Sequence, residues 1–155
     1  MRAIRRAAPG DARLLLELQR RAFAEEGRRS GSNEIPPLIE ALSSIAEHIA
    51  SQTALVATED GRIIGAIRGM VSGAACTIRA LVVEPAHQGR GIGSVLLKAL
   101  EDSLPNVARF DLTTNTVMEG NVPFYERHGY RVTELTRYSE GVTLAQMSKA
   151  VGRDA

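Results

Sequence analysis

Residues 80–94 read A-L-V-V-E-P-A-H-Q-G-R-G-I-G-S, and the rest of the chain is interpreted around this stretch. Its apolar start favours a buried strand, which should end near Glu84 because Pro85 supplies no N–H for strand pairing. Three glycines then alternate with side chains, and apolar residues follow at the spacing of one helical face. These apolar residues are Ile92, Val95, Leu96, Ala99 and Leu100. The stretch therefore predicts a strand, a glycine loop and a helix in succession.

The predicted glycine loop has the properties of an anion-binding site. The free N–H groups and the positive dipole end of a helix attract anions, and missing Cβ atoms let a phosphate approach the backbone. Arg90 adds a fixed positive charge. A flexible turn before an amphipathic helix is the simpler alternative, since glycine loops often serve only that purpose.

Spacing distinguishes three phosphate-binding loops. A P-loop needs Gly-Lys, which occurs nowhere in this chain, so that type is excluded. The dinucleotide pattern G-x-G-x-x-G fits poorly, because Gly89, Gly91 and Gly93 give G-x-G-x-G, although Asp111 lies about 20 residues further on. The run from Gln88 to Gly93 matches Q-x-x-G-x-G and follows L-V-V-E-P. It resembles the acetyl-CoA signature of the GNAT family of N-acetyltransferases.

Composition limits the remaining classes. The 155 residues suit one domain, expected over 1–150 with a short tail over 151–155. A net charge of +1 excludes the basic field that drives non-specific nucleic-acid binding. Cys76 is the only cysteine, which excludes an internal disulfide and a CxxC motif and suggests a small buried residue. The basic N-terminus has no long apolar segment, so we expect a cytoplasmic protein without membrane contact.

Two helices are expected ahead of the sheet. Arg2 to Arg6 predicts a short strand, and Asp11 predicts the N-cap of a helix that runs to about Glu26. The segment from Gly27 to Asn33 is rich in Gly, Ser and Arg, which predicts a mobile loop. A second helix should begin at Pro36-Pro37 and continue to Ile49.

Strand patterns dominate the rest of the chain. Before the glycine loop, three antiparallel strands are expected over Ala54–Ala57, Ile63–Val71 and Cys76–Glu84, with a hairpin turn at Asp60-Gly61. After it come a helix from Ile92 to about Leu104 and a strand over Phe110–Thr114, which should run parallel to the strand before the loop. A last hairpin over Arg131–Tyr138 and Val142–Ser148 turns at Glu140-Gly141.

A second motif lies between Asn121 and Tyr130, where the chain reads N-V-P-F-Y-E-R-H-G-Y. Asn121 predicts an N-cap, Pro123 fits the first turn, and Gly129 fits the position just after a helix, so a short helix is expected. The motif resembles the second GNAT signature, and its N-V-P-F-Y-E-R form is similar to the puromycin-acetyltransferase-like branch. Together with the glycine loop, the resemblance covers nearly the whole chain.

The resemblance implies an α/β (α+β) fold with a mixed, mostly antiparallel sheet of about seven strands and about four helices. The sheet is expected to splay between its fourth and fifth strands, with pantetheine in the opening and bonded to the backbone of Leu81 and Val83. The pyrophosphate should lie on the loop N–H groups, and Asn121 should contact the cofactor arm. The implied acetyl-CoA site comprises Leu81, Val82, Val83, Gln88, Gly89, Arg90, Gly91, Ile92, Gly93, Ser94 and Asn121.

The implied chemistry needs two proton transfers. An amine with a pKa of about 10.4 must lose a proton before it attacks a thioester, and a thiolate leaves more easily when a hydroxyl donates to it. Tyr125 matches the family's tyrosine in the second role, although it could also be an ordinary core aromatic residue.

The general base is not assigned by the resemblance. Relatives often place a glutamate on the strand before the cofactor segment, where this chain has Thr77. Three glutamates could serve as the base and two threonines could contact the substrate or hold a water, although each of the five could also be an ordinary surface or strand residue. They are Glu25, Glu26, Glu34, Thr113 and Thr114. The histidines are expected to be structural, with His48 on the solvated side of its helix and with His87 and His128 beside the two motifs.

The implied function is transfer of an acetyl group from acetyl-CoA to a primary amine within a ternary complex, without a metal. The acceptor could be a small molecule, a peptide N-terminus or a lysine, and a homodimer is a possible assembly. The main alternative is a catalytically silent acetyl-CoA sensor, which the missing strand glutamate favours. A nucleotide-dependent oxidoreductase is disfavoured by the loop spacing.

Overall fold

One seven-stranded sheet organises residues 1–152, the part of the chain that the computed structural model describes. The strands are β1 (Arg2–Arg6), β2 (Thr53–Glu59), β3 (Arg62–Ser72), β4 (Ala75–Val83), β5 (Arg109–Asn115), β6 (Arg131–Ser139) and β7 (Val142–Ala150). The helices are α1 (Ala12–Ser30), α2 (Pro36–Ile39), α3 (Leu42–Ser51), α4 (Ile92–Ser103) and α5 (Asn121–Arg127). The predicted fold class is confirmed, with five α-helices where about four were expected.

The sheet has the strand order β1-β2-β3-β4-β5-β7-β6. All neighbouring pairs are antiparallel except β4 and β5, which are parallel because α4 returns the chain between them. Their pairing extends only from Ala75 opposite Arg109 to Thr77 opposite Asp111. Beyond those residues the two strands separate, which confirms the expected splay between the fourth and fifth strands.

Helices cover both faces of the sheet. Helices α1 and α3 pack on one face through buried residues such as Leu18 and Ile45, while α4 packs on the other through Leu96 and Leu100. Strand β2 is buried on both faces, which explains its continuous apolar run in the sequence.

A β-bulge in β4 redirects its side chains just before the glycine loop. Ala66 lies opposite Val82 and Arg68 opposite Arg79, so Ala80 and Leu81 together oppose a single residue of β3. Ala80 has φ of +52°, a left-handed conformation that costs a non-glycine residue energy. As a result Val82 packs with the α1 layer, whereas Leu81 packs with the α4 layer.

The predicted loop from Gly27 to Asn33 is wrong in its first half, because α1 continues to Ser30. Gly27 is buried, and a Cβ there would lie 2.6 Å from Leu38 Cδ1 and 2.9 Å from the Ser32 carbonyl oxygen. This glycine therefore permits close packing inside a helix. Gly31, with φ of +70°, ends the helix instead.

The predicted second helix is divided into α2 and α3, because Glu40 and Ala41 are extended. The break turns the Glu40 carboxylate toward Arg68, whose Nη2 lies 2.6 Å from Glu40 Oε1. Gln19 joins this cluster by donating to Glu40 Oε1 at 2.9 Å. Because Arg68 is only 4% exposed, it needs a buried partner, and the interrupted helix supplies one.

One prediction about a single residue is wrong, and another needs a change of detail. His48 is buried rather than solvated, and its Nε2 lies 3.2 Å from the Thr53 carbonyl oxygen. Asp11 holds the predicted N-cap position of α1, but its carboxylate accepts from the Ala8 N–H at 2.7 Å in the preceding 3-10 turn and makes no capping bond to α1. In both residues the side chain turns back to a nearby backbone group.

The start of α5 also differs from expectation. Asn121 is the first residue of α5 rather than its N-cap, since Gly120 holds that position. After β7, the Val151 N–H donates to the Ala108 carbonyl at 3.0 Å, and the expected boundary between the domain and its tail at residue 150 stays a prediction. Residues 153–155 of that tail lie outside the described part of the chain.

Candidate active site

The separation of β4 from β5 leaves backbone groups of β4 without a strand partner on that side. Glu84 N–H donates toward β3, to the Ile64 carbonyl at 2.7 Å. Because N–H groups alternate along a strand, those of Leu81 and Val83 point away from β3, toward the opening between β4 and β5. Val82 lies between them and pairs with β3. Two of the three predicted strand residues thus offer N–H groups to the opening, which we call the split.

The glycine loop lies between the end of β4 and α4. Gly89 and Gly91 have φ of +81° and +79°, and a Cβ at either position would meet no atom within 4 Å. Gly91 is the N-cap of α4, and the first helical bond runs from Val95 N–H to the Gly91 carbonyl at 3.1 Å. The N–H groups of the first turn therefore have no intrahelical partner. An open surface lined by free N–H groups fits the diphosphate of coenzyme A.

The other predicted loop residues support this arrangement. Gln88 Nε2 donates to the Val83 carbonyl at 3.3 Å and ties the loop to β4. The Arg90 side chain is exposed, whereas Ile92 is buried beneath the helix start. Ser94 Oγ is hydrogen-bonded to His128 Nε2 at 2.9 Å.

Helix α5 packs against the start of α4 at a second glycine. A Cβ at Gly93 would lie 3.4 Å from Phe124 Cζ, at van der Waals contact, so Phe124 packs directly beside this glycine. The Phe124 ring contacts Tyr125 edge-on, with centroids 5.1 Å apart, and lies 4.9 Å from the His128 ring, and both contacts are local to α5. The contact with Gly93 and the bond from His128 to Ser94 connect α5 to the start of α4. His128 is thus part of the packing, as expected from its sequence.

Tyr125 has a free hydroxyl in an apolar setting. Its ring packs in the α4-side core and contacts Tyr130 edge-on at 5.9 Å. Among residues 1–152 no group hydrogen-bonds the Tyr125 hydroxyl, whereas the Tyr130 hydroxyl donates to Glu101 Oε2 at 2.7 Å. Burial raises the pKa of the Tyr125 hydroxyl, and the negative charge of Glu26 raises it further. The hydroxyl therefore stays protonated and is available to donate.

Glu26 lies on α1 near the far end of β5. Burial raises the pKa of its carboxyl to about 7, and a hydrogen bond from Asn115 acts in the opposite direction. Asn115 ends β5, donates from Nδ2 to Ser30 Oγ at 3.0 Å and accepts from the Val117 N–H at 3.0 Å. Its carbonyl also accepts from Asn121 Nδ2 at 3.4 Å.

The other candidate bases lie in different surroundings. Glu25 is paired with Arg28 and Arg29, whose hydrogen bonds lower the pKa of its carboxyl to about 2. Glu34 is exposed. His87 Nε2 lies 3.0 Å from Glu59 Oε2 and so joins the loop to β2.

The threonines near the split also differ from one another. Thr77 lies where the two strands part, opposite Asp111. Thr113 Oγ1 donates to Gln146 Oε1 at 2.7 Å, and Thr114 is buried. None of the three supplies a carboxylate, so Thr77 does not provide the glutamate that the resemblance led us to look for at this position.

The small buried residue that the sequence suggested at Cys76 is confirmed. Cys76 is fully buried, and burial raises the pKa of its thiol to about 11. Among residues 1–152, no group of three or more His, Cys, Asp or Glu side chains could hold a metal ion. No helix in the same range is long and apolar enough to cross a membrane.

Sequence reasoning missed Asn115 and the bulge at Ala80. The strand was expected to end at Thr114, one residue before Asn115, and a polar residue just past a strand end is a signal that could have been used. Ala80 gives no such signal, because alanine is not a residue that favours positive φ.

Comparisons with known proteins agree with this geometry. The family model of the acetyltransferase (GNAT) domain matches residues 23–151. An uncharacterised N-acetyltransferase of Methanocaldococcus jannaschii is 39% identical over 83 residues, and the match spans 52% of this chain and only 53% of that protein.

Solved structures share the fold. The ribosomal-protein-S18-alanine N-acetyltransferase of Escherichia coli superposes with a TM-score of 0.83 at 19% identity, covering 100% of this chain and 97% of that one. The PaiA N-acetyltransferase of Thermoplasma acidophilum, solved with coenzyme A, gives 0.79 at 21% identity, covering 97% and 99%. Since the family model covers most of the sequence and the split, glycine loop and α5 occur together, this chain belongs to the GNAT family of acetyltransferases.

Proposed function

We propose that this protein is an N-acetyltransferase that moves the acetyl group of acetyl-CoA directly to a primary amine in a ternary complex. The observation that carries the proposal is the position of the Tyr125 hydroxyl. The hydroxyl is unbonded within residues 1–152, and it belongs to a helix whose Phe124 contacts Gly93 in the first turn of α4. In this proposal the proton donor would therefore lie next to the cofactor site.

Coenzyme A is the group that the split and loop fit. Its diphosphate would be held by N–H groups of the loop from Gln88 to Ser94, with Arg90 adding charge. Its pantetheine amides would pair with the backbone of Leu81 and Val83, as an added strand pairs with a sheet edge. Asn121 would contact the same arm. When bound, acetyl-CoA supplies an activated acyl group and a thiolate leaving group.

Tyr125 would act at the leaving sulfur. A thiol pKa near 8.5 makes the free thiolate a fair leaving group, and a hydrogen bond or proton from a hydroxyl improves it. The raised pKa of the Tyr125 hydroxyl keeps it in the donor form over the whole physiological range.

The acceptor would enter from the α1 side of the sheet. Helices α1 and α2 border the split there, joined by the segment 31–35 that follows Gly31. The acceptor class stays open between small-molecule amines, peptide N-termini and lysine side chains.

A thiol-release assay tests the proposal. Purified protein is incubated with acetyl-CoA and one representative of each amine class, and free coenzyme A is measured. We expect release that depends on the amine, with acetylated amine formed in equal amount. Calorimetric binding of coenzyme A without release by any amine class would favour the catalytically silent sensor, which the presence of Thr77 at the usual glutamate position already suggests as the second candidate.

A further inference from the structure

We propose that Glu26 is the general base of this reaction, taking a proton from the ammonium form of the acceptor, and that Asn115 positions the Glu26 carboxylate. The inference rests on the proposed function, because a base has a task only if an amine is acetylated. It concerns α1, an element outside both sequence motifs.

Helix α1 is tied to the end of β5 close to Glu26. Asn115 Nδ2 donates to Ser30 Oγ at 3.0 Å, and Ser30 lies one helical turn after Glu26, so Glu26 lies on the side of α1 that faces the last residue of β5. Asn115 also lowers the pKa of the Glu26 carboxyl, against the larger effect of burial. The Asn115 carbonyl accepts from Asn121 on α5. Asn115 therefore connects α1, β5 and α5 at the open end of the split.

Glu26 and Tyr125 belong to elements on opposite faces of the sheet. Helix α1 packs on one face of the sheet and Tyr125 packs in the core of the other face. The charge of Glu26 nevertheless raises the pKa of the Tyr125 hydroxyl. The pairing of β4 and β5 ends at Thr77 and Asp111, so beyond these residues no strand pairing closes the sheet between the two layers. When an amine attacks a thioester, the base is needed beside the amine and the acid beside the leaving sulfur.

Glu26 also has the free carboxylate that a base needs. Its neighbour Glu25 is held by Arg28 and Arg29, and cations stabilise the charged form of a carboxylate and so weaken it as a base. Glu26 makes no ion pair with any residue from 1 to 152. Besides burial, the Asn115 amide from β5 acts on its pKa, and its own charge acts on the pKa of the Tyr125 phenol from α5.

The proton and electron balance of the step is complete with these two residues. The Glu26 carboxylate takes one proton from the ammonium, and the freed nitrogen lone pair forms the C–N bond to the acetyl carbonyl carbon. The C–S bond breaks with its electron pair on sulfur, which takes the Tyr125 proton. The tyrosinate regains a proton from the acylated nitrogen, which keeps one hydrogen as the amide N–H. Glu26 then releases its proton to solvent.

The acidity of Glu26 suits this task. An ordinary glutamate has a pKa of about 4.3, about six units below that of an alkyl ammonium at about 10.4. With a pKa of about 7, Glu26 removes almost half of that mismatch and is still half ionised at neutral pH.

Two matched variants test the role of Glu26. Glu26→Gln keeps the size of the side chain and removes the base, whereas Glu25→Gln removes a carboxylate one position away. We expect kcat/KM for a verified amine to fall about 10²- to 10⁴-fold in Glu26→Gln, with the Kd for acetyl-CoA unchanged. Glu25→Gln should stay within about twofold of the wild type. The alkaline rise of kcat/KM with a midpoint of about 7 should be absent only in Glu26→Gln.

A titration of the free protein supplies a readout apart from turnover. Carboxyl ¹³C resonances are followed with pH, and the Glu26 signal is assigned by its loss in Glu26→Gln. We expect a midpoint of about 7, which should move higher in Asn115→Ala because the bond that stabilises the carboxylate is lost. An unchanged midpoint in Asn115→Ala would overturn its positioning role.

The two proposals fail in different ways. If the wild-type protein acetylates none of the amines, the proposed function fails and the base role falls with it. If the wild type acetylates an amine and Glu26→Gln keeps both its rate and its pH profile, only the base role is overturned. A Glu26 midpoint near 4.5 in the free protein would also overturn the base role, whatever the variants do.

Discussion

The negative charge of Glu26 raises the pKa of the Tyr125 hydroxyl, although the two residues belong to helices on opposite faces of the sheet. A complete sheet would separate them. Here the parallel pairing of β4 and β5 stops at Thr77 and Asp111, so a gap lies between the two helical layers. In our proposal the acid and the base would therefore meet at the same gap that would admit pantetheine.

The first prediction separates a catalytic from a structural tyrosine. Tyr125→Phe removes a hydroxyl that has no partner within residues 1–152, so the melting temperature should change little. Because general acids contribute about 10²- to 10⁴-fold, kcat should fall into that range while the affinity for acetyl-CoA is kept. Both are measured by thiol release and calorimetry.

Tyr130→Phe is the control for that prediction. The Tyr130 hydroxyl donates to Glu101 Oε2 at 2.7 Å, so its removal should lower the free energy of unfolding by about 1–3 kcal/mol and leave kcat near the wild-type value. Near-wild-type turnover in Tyr125→Phe would remove Tyr125 from the mechanism and leave solvent as the proton source.

The second prediction concerns the surface in front of α4. Gly91→Val places a branched side chain where a Cβ meets no protein atom within 4 Å, so the change should block a phosphate rather than disturb packing. We expect calorimetric binding of coenzyme A to be lost or weakened more than tenfold.

Gly141→Val controls for the backbone cost of that change. Gly141 has φ of +78° against +79° for Gly91, also has open space around a Cβ, and lies in the hairpin between β6 and β7. Both variants should lose about 1–2 kcal/mol of stability because of the left-handed backbone. Unchanged coenzyme A affinity in Gly91→Val would contradict the loop as the diphosphate site.

A third prediction follows from the buried position of Gly27. Gly27→Ala puts a Cβ 2.9 Å from the Ser32 carbonyl, a backbone atom that cannot move without displacing the chain that follows α1. The helix propensity of alanine would stabilise α1, but overpacking typically costs about 1–3 kcal/mol and should prevail. Gly10→Ala, with nothing within 4 Å, should be close to neutral. Chemical denaturation of both variants decides the point, and a stabilised Gly27→Ala would contradict the packing.

Local signals explain which parts of the fold were predictable. Pro85 and the three glycines after it mark the end of β4 and the start of α4, and Asp60-Gly61 and Glu140-Gly141 mark hairpins through turn chemistry alone. The positions of the loop and of α5 along the chain follow from such signals. The role of each residue in cofactor binding and the likeness to the puromycin-acetyltransferase branch stay predictions.

The errors have one physical origin, which is contact between residues far apart in sequence. Glu40 leaves helical geometry to reach Arg68, and Gly27 is helical because Leu38 packs onto it. Glu26 has the sequence surroundings of a solvated charge but is partly buried, and Asn115, which acts on its pKa, is 89 positions later in the chain (115 − 26). Such partners are specified by the tertiary structure and have no local pattern.

The last prediction uses Glu26 as a probe of stability against pH. Burial raises the pKa of its carboxyl from 4.5 in the unfolded chain to about 7 in the folded protein. Below pH 4.5 both states are protonated and the contribution of this group to stability is fully present. As pH rises through about 7, the folded state must ionise a half-buried carboxyl that the unfolded state ionised at lower pH, so that contribution is lost.

Glu26→Gln cannot ionise and should therefore gain stability relative to the wild type between pH 4.5 and pH 8. The full shift would correspond to about 3 kcal/mol, and solvent around a half-buried group reduces the expected gain to roughly 1–2 kcal/mol. Glu25→Gln should show no such alkaline gain, because the pKa of Glu25 is lowered and its ion pairs with Arg28 and Arg29 stabilise the charged form. Urea denaturation of the three proteins at pH 5 and pH 8 measures these differences. A difference between Glu26→Gln and the wild type that does not change with pH would mean that Glu26 titrates as an exposed carboxylate, which would remove the burial on which its proposed role as the base depends.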